Sequence, residues 1–366
     1  MKRFASWVKI ALTLGLSLVV MLSLWWLHQA PQAVRAATYT VCASGCNYTT
    51  IQAAVDAAGF EDVIKVAAGT YTGVNTRGGG RQVVYVNKTL TIRGGYTPGN
   101  WATPDPVANP TTIDAQGQGR GIYVVGAVGP TIEGLRIVNG NAAGLGGHIV
   151  GDADAGGGIY VTYGSVLTLQ KCQVVANTAE RGGGVYVRSE SGTFTENTIA
   201  SNKVIGGYGG GLYLREGRFV LTKNAIRDNE ADYGGAMRLY DIGGSTLSEN
   251  IISNNTASFR SGGIYLTRSD NTTLSRNTLS GNQAPEGGGL YVDESRIVFN
   301  NNTLSNNTAD RGGGGMLFDV SGATLSGNTL SANAVTRKGG GLLVHDSELT
   351  FDNNTISGNT SVITGG

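Results

Sequence analysis

The stretch GGGLYV, residues 287–292, runs the most flexible residue type straight into a triplet with strand character. Near-copies stand at 156–161, 182–187, 209–214, 234–239, 261–266, 313–318 and 339–344. Taking the first apolar residue after the glycines, the series is Ile159, Val185, Leu212, Met237, Ile264, Leu290, Met316 and Leu342, with steps of 25 to 27 residues. An asparagine column keeps the same pace at Asn197, Asn224, Asn250, Asn277, Asn302, Asn328 and Asn354, with Cys172 in its first slot. A second follows five residues later, at Asn177, Asn202, Asn229, Asn255, Asn282, Asn307, Asn333 and Asn359. Two apolar columns accompany them: Leu169, Phe194, Leu221, Leu247, Leu274, Phe299, Leu325, Phe351, and Val174, Ile199, Ile226, Ile252, Leu279, Leu304, Leu330, Ile356.

Each repeat thus holds three short strands with period-2 alternation, separated by Gly or Asn turns too short for a helical crossover. One repeat forming one coil of a parallel β-helix stacks every copy of a column above the last, at ~4.8 Å per coil. The aliphatic columns become a continuous core that a lone repeat cannot build. The asparagines are expected in left-handed corners, hydrogen-bonding along the axis, with Cys172 as a small buried thiol. The Asn-x-Thr triplets are then structural corners rather than glycosylation sites.

Composition fits an array. Gly is 58 of 366 residues, Pro only 7, and charged residues 14% with a net charge of +1. Collagen is excluded, and nothing basic enough for nucleic acid is present. Residues 1–36 read as a signal peptide. Lys2, Arg3 and Lys9 precede an apolar run at 10–27, and Val34-Arg35-Ala36 supplies a cleavage site. An uncleaved anchor is the alternative. In an exported chain Cys42 and Cys46 suit a small disulfide loop, since two thiolates alone leave zinc under-coordinated. No metal or cofactor is expected.

The chain resembles right-handed parallel β-helix proteins of the pectin-lyase-like superfamily, and within them the repeats of polymorphic outer membrane proteins. Gly234-Gly235-Ala236-Met237 and Ile252-Ser253-Asn254-Asn255 echo that family's two tetrapeptides, with Ile in place of Phe in the second. Thr50-Ile51-Gln52-Ala53-Ala54-Val55-Asp56-Ala57-Ala58 resembles the superfamily's N-terminal cap, with Ile51, Ala54, Val55 and Ala58 on one helical face. The resemblance implies an all-β, right-handed parallel β-helix solenoid of about ten coils of ~26 residues with a short capping helix. Residues 37–120 would hold the cap and irregular first coils, and 121–366 the regular ones.

Two insertions interrupt the early coils: 96–111, with Trp101, and 141–155, with His148, Asp152 and Asp154. Insertions often mark a binding face, although Trp101 could equally pack its loop on the outer wall. The residue between the apolar pair of each Gly-led strand should point outward. That column reads Tyr85, Tyr123, Tyr160, Tyr186, Tyr213, Arg238, Tyr265, Tyr291, Leu317 and Leu343. Its tyrosines make either a stacking strip for an extended sugar polymer or a self-supporting aromatic ladder. The following turn is acidic, densest at Asp293, Glu294, Asp319 and Asp346. Carboxylates on adjacent coils would stand ~5–10 Å apart, which includes glycosidase separations. Polygalacturonase relatives carry catalytic Asp on such a face, but their NTD, DD, GHG and RIK motifs are absent, as are the pectate-lyase arginine and calcium motifs. A solvated polar turn is the alternative.

The expected function is a secreted or cell-surface scaffold binding an extended ligand, favouring polysaccharide, through Trp101 and Tyr160, Tyr186, Tyr213, Tyr265 and Tyr291. The alternatives are a polysaccharide-cleaving enzyme using the acidic turn and a structural or adhesive protein binding another surface protein. Adding 26 to Leu342 puts the next strand near position 368, so Ile363-Thr364-Gly365-Gly366 reads as the run-up to another coil. The chain is accordingly expected to be part of a longer protein, touching a membrane only through its leader or a further C-terminal anchor.

Overall fold

A computed structural model describes residues 36–147 and 153–363. The leader, His148, Asp152 and the last three residues lie outside the described residues. Three long sheets of 12, 11 and 11 strands run along the array. All of their pairings are parallel, apart from the hairpin of Asn75–Arg77 with Gly80–Val86. Each coil contributes one strand to each sheet, as in Leu290–Asp293, Ile297–Asn300 and Thr303–Ser305. The coils number about twelve rather than ten. Strands Thr38–Val41 and Val63–Ala67 pair ahead of the first Gly-led strand, which the glycine count cannot register.

Inward side chains of all three sheets merge into one core. Leu274 and Leu279 are fully buried, while in the last turn the same columns end at Phe351 and Ile356, 43% and 49% exposed. The helix Ile51–Ala57 lies over the other end of this core, with Ile51, Ala54 and Val55 buried and the Thr50 side chain accepting from the Ala53 amide. Gln52 imitates a neighbouring strand: its Oε1 accepts from the Tyr85 amide at 2.7 Å and its Nε2 donates to the Tyr85 carbonyl at 3.3 Å. The Cys42–Cys46 disulfide is formed beside this cap.

The three glycines before each strand have different reasons. Gly287 has φ +63°, whereas a Cβ on Gly288 or Gly289 would stand 2.6 Å from a carbonyl oxygen of a following coil, Thr308 or Gly314. A run of four glycines therefore shifts what comes next. Gly312 takes the left-handed position, so Gly315 pairs with Leu290 in the inward slot, Met316 with Tyr291, and Leu317 with Val292. This corrects the outward placement of Leu317, which is fully buried.

The asparagines form two axial ladders. Asn250 Nδ2 donates to Asn277 Oδ1 and to the Leu221 carbonyl, each at 2.9 Å, while its Oδ1 accepts from the Asn224 amide and Asn224 Nδ2. Every polar atom of the buried amide is used. The left-handed residue is not the ladder asparagine but the one before it, such as Glu249 (φ 57°) or Lys223 (φ 57°). That turn aims the amide inward and leaves the strained residue in solvent. Cys172 begins the first ladder. Its amide donates to Asn197 Oδ1 at 3.0 Å, its thiol lies 3.5 Å from the Ile132 carbonyl, and burial pushes its pKa up to about 12.

Asn250→Ala should cost about 3 kcal/mol or more, because several buried groups lose partners. Cys172→Asn should instead stabilise by about 1 kcal/mol by replacing the weak thiol donor to the Ile132 carbonyl with an amide. Urea midpoints check both, and a destabilised Cys172→Asn protein would show that the slot does not accept an amide. Leu317→Asp should be as damaging as Leu274→Asp.

Candidate ligand-binding groove

The tyrosine column stacks as one line of rings. Centroids are 5.1 Å apart for Tyr123–Tyr160, 5.7 Å for Tyr160–Tyr186, 5.4 Å for Tyr186–Tyr213 and 5.2 Å for Tyr265–Tyr291. Arg238 fills the gap, its guanidinium 4.0 Å from the Tyr265 ring centre and its Nη2 donating to Thr267 Oγ1 at 2.7 Å. Burial lowers the Arg238 pKa. The column points away from the coil core, as expected, but its faces are not open. Tyr160, Tyr186, Tyr213, Tyr265 and Tyr291 are at most 8% exposed, so they do not form the stacking strip expected for a sugar.

A second layer covers them. The residues that precede the glycines form their own register column: Arg181, Tyr208, Tyr233, Arg260, Glu286, Arg311 and Lys338. They end short strands such as Thr178–Arg181 and Thr256–Arg260, a fourth segment per coil that the three-strand reading lacks. The column bends over the tyrosines. Tyr208 lies 6.2 Å from Tyr213, Tyr233 lies 6.1 Å from Tyr265, and the Arg260 guanidinium sits 5.0 Å from the Tyr291 ring. Over Tyr160 the cover is the 141–147 segment with Arg120. Arg120 stands 4.5 Å above the ring and donates to the Gly146 carbonyl at 2.6 Å, and the Tyr160 hydroxyl donates to the Gly147 carbonyl at 2.7 Å. Trp101 is half-buried, its ring 5.7 Å from Tyr96 and its carbonyl accepting from Lys65 Nζ at 2.6 Å, which packs its loop on the wall.

Beyond Tyr291 the column changes chemistry, and its exposure rises only at the half-buried Leu343. Met316 and Leu343 continue the column beyond Tyr291, and above them lies a groove of about 820 Å³. One wall carries Arg260, Arg311, Arg337 and Lys338, with Glu286 as its acid. Glu286 sits 3.1 Å from Arg260 and 3.8 Å from Arg311. The opposite wall is Phe318 and His345, whose rings stack at 5.0 Å. The floor is apolar and the cationic wall is half in solvent, the Arg311 side chain being 44% exposed. The residue before the glycines was the available sequence signal, and its mixed chemistry hides it from a search for identical residues.

The acidic turn has a backbone explanation. Glu216, Asp241, Arg268, Glu294, Asp319 and Asp346 occupy successive left-handed positions, with φ between 45° and 60°. Glu294 is ion-paired with Arg268 at 2.8 Å, and Asp346 lies 3.0 Å from His345. Asp293 belongs to the strand instead, in register with Phe318 rather than with Asp319. Burial, reinforced by Glu294, raises its pKa. Glu216 goes the other way. Burial would raise it, but the Arg188 hydrogen bond and the Arg215 charge bring it below the usual value. Among the described residues, no group of three or more His, Cys, Asp or Glu could hold a metal ion.

The family described as right handed beta helix region matches residues 39–236 and 183–356. Solved structures with a similar fold include a pectate lyase, at 11% identity over 87% of this chain and 79% of that one, with a TM-score of 0.45. A pectin methylesterase from carrot shares 15% identity over 89% and 84%, TM-score 0.41. A surface adhesin of Streptococcus pneumoniae shares 11% over 85% and 87%, TM-score 0.42. No curated protein matches the chain.

The two shifted carboxyls give opposite pH signatures. The Glu216 pKa is lower in the fold, so its stabilisation is present above the unfolded carboxylate range and is lost as pH falls through the folded value. The Asp293 pKa is higher in the fold, so its ionisation weakens the fold as pH rises. Glu216→Gln should therefore lower the urea midpoint at pH 7 and Asp293→Asn should raise it, with both differences shrinking below about pH 3. Equal-signed effects at pH 7 would contradict these shifts.

Proposed function

The chain belongs to the right-handed β-helix family, and we propose that this member is an exported scaffold whose groove above Met316 and Leu343 holds an extended polysaccharide. The groove itself carries the reading. It is lined by residues of the strands Leu290–Asp293, Gly315–Phe318 and Leu342–His345, and it sets cationic side chains beside apolar and aromatic ones. A sugar presents apolar CH faces and a rim of polar groups. Leu343 and the Phe318–His345 stack suit the faces, and the arginine and lysine donors suit the rim. Export is supported by the leader-like residues 1–36 and by the Cys42–Cys46 disulfide, which fits an oxidising compartment.

Cleavage through the turn carboxylates is the rival, favoured by the raised Asp293 pKa, the property of a group that could donate a proton. The Arg268–Glu294 ion pair and the shared backbone role of Glu294, Asp319 and Asp346 weigh against it.

Purified protein should be retained by at least one polymer in an affinity-electrophoresis panel of acidic and neutral polysaccharides. Phe318→Ala with His345→Ala should weaken that binding about tenfold, at roughly 1.4 kcal/mol for the lost ring contacts, with little change in melting temperature. Retention of nothing in the panel would overturn the reading. Release of new reducing or unsaturated ends, abolished by Asp293→Asn or Asp319→Asn, would replace binding with cleavage.

A further inference from the structure

We propose that the groove selects polymers carrying carboxylate or sulfate groups, and that Glu286 sets how strongly it does so. The inference rests on the reading of the groove as a polysaccharide site and adds the chemical class of the ligand and the residue that tunes it.

The charge is local. The whole chain carries a net charge of +1, yet the groove gathers four cations against one lining carboxylate. The cationic residues are brought together by register. Arg260, Glu286, Arg311 and Lys338 follow one another on adjacent coils, so their backbones stand ~4.8 Å apart along the axis. A polymer lying in the groove presents its substituents along the same line. Neutral hydroxyls would be hydrogen-bonded by this wall, whereas anionic groups would also gain charge-assisted bonds to the guanidinium and ammonium groups.

Glu286 occupies the middle of the line. With Arg260 at 3.1 Å and Arg311 at 3.8 Å, it holds both guanidiniums and offsets part of their charge where a ligand anion would sit. It thus competes with the ligand for the same donors. Toward the Leu343 end the exposed Lys338 pairs in register with Arg311, so its neighbour on that side is a second cation. Within the described residues the screening is concentrated between Arg260 and Arg311.

The experiment compares three polymers on one backbone: dextran, carboxymethyl dextran and dextran sulfate, bound to the full chain at low and high salt. Wild type should hold at least one charged polymer about tenfold more tightly than dextran at low salt, and the preference should shrink at high salt. The two charged polymers separate carboxylate from sulfate. Glu286→Gln should tighten the charged polymers about threefold relative to dextran, a gain that misfolding cannot produce. Glu230→Gln, which removes an equal charge from the exposed Lys203 pair outside the groove, should change nothing. Arg311→Ala with Lys338→Ala should abolish the preference.

Equal binding of dextran and its charged forms would overturn charge selection while leaving a polysaccharide site standing. So would a Glu286→Gln protein that binds charged polymers no better than wild type, or a Glu230→Gln protein that gains as much. Failure of wild type on all three polymers overturns the inference. It reaches the broader reading only if the wider panel also retains nothing.

Discussion

The buried asparagine amide is the constraint on which the rest of the coil depends. A parallel β-helix must turn its backbone inside the wall at every corner, and each turn leaves amide and carbonyl groups that the sheets cannot pair. Asn250 and its equivalents meet this need with two donors and one acceptor, bonding to the coil before and the coil after. The amide fits only if successive coils keep one spacing and one rotational setting. The ladder therefore ties every column to its neighbour, while the chain between rungs can vary, from 25 residues for Asn177 to Asn202 to 27 for Asn202 to Asn229. The residue before each amide accepts the cost of the turn. Glu249, Lys223 and Asp228 adopt positive φ in solvent, where their side chains are free of packing demands.

Fixed register turns single-residue changes into surface features. A column of tyrosines becomes a ring stack because each ring lies one coil from the next, and the column before the glycines becomes its lid for the same reason. The two columns alternate in chemistry. Arg238 interrupts the rings beside Tyr208, Tyr240 and Tyr265, and Arg260 interrupts the cover above Tyr291. Buried guanidiniums are tolerated there because aromatic faces and backbone carbonyls replace part of their hydration, although burial still lowers the Arg120 and Arg238 pKa values.

The parts legible in the sequence were those in which one residue type recurs. The asparagine corners, the aliphatic stacks, the capping face of Ile51, Ala54 and Val55, and the Cys42–Cys46 pair all lie where the spacing put them. Counting failed where identity and position diverged. Four glycines at 312–315 displaced Met316 and Leu317 by one place, and two early coils without a Gly-led strand went uncounted. The groove was illegible for a different reason. Arg181, Tyr208, Tyr233, Arg260, Glu286, Arg311 and Lys338 share a position and no chemistry, and alternation can say that tyrosines leave the core without saying what lies over them.

The groove lies where cation–ring contacts give way to cations beside aliphatic side chains. Up to Tyr291 the cations of this face rest on rings: Arg181 on Tyr208 at 4.7 Å, Arg238 on Tyr265 at 4.0 Å, Arg260 on Tyr291 at 5.0 Å. The next two coils keep the cations, Arg311 and Lys338, but carry Met316 and Leu343 in the ring column. Neither side chain offers a π face, so the attraction that draws a guanidinium down onto the column is lost, while an ammonium or guanidinium over a bare aliphatic surface gains more from water. The cations keep their water, and the surface beside them stays apolar, from the buried Met316 to the half-buried Leu343. Two changes in a repeating column thus alter what its cations can rest on without any insertion, new loop or change of fold.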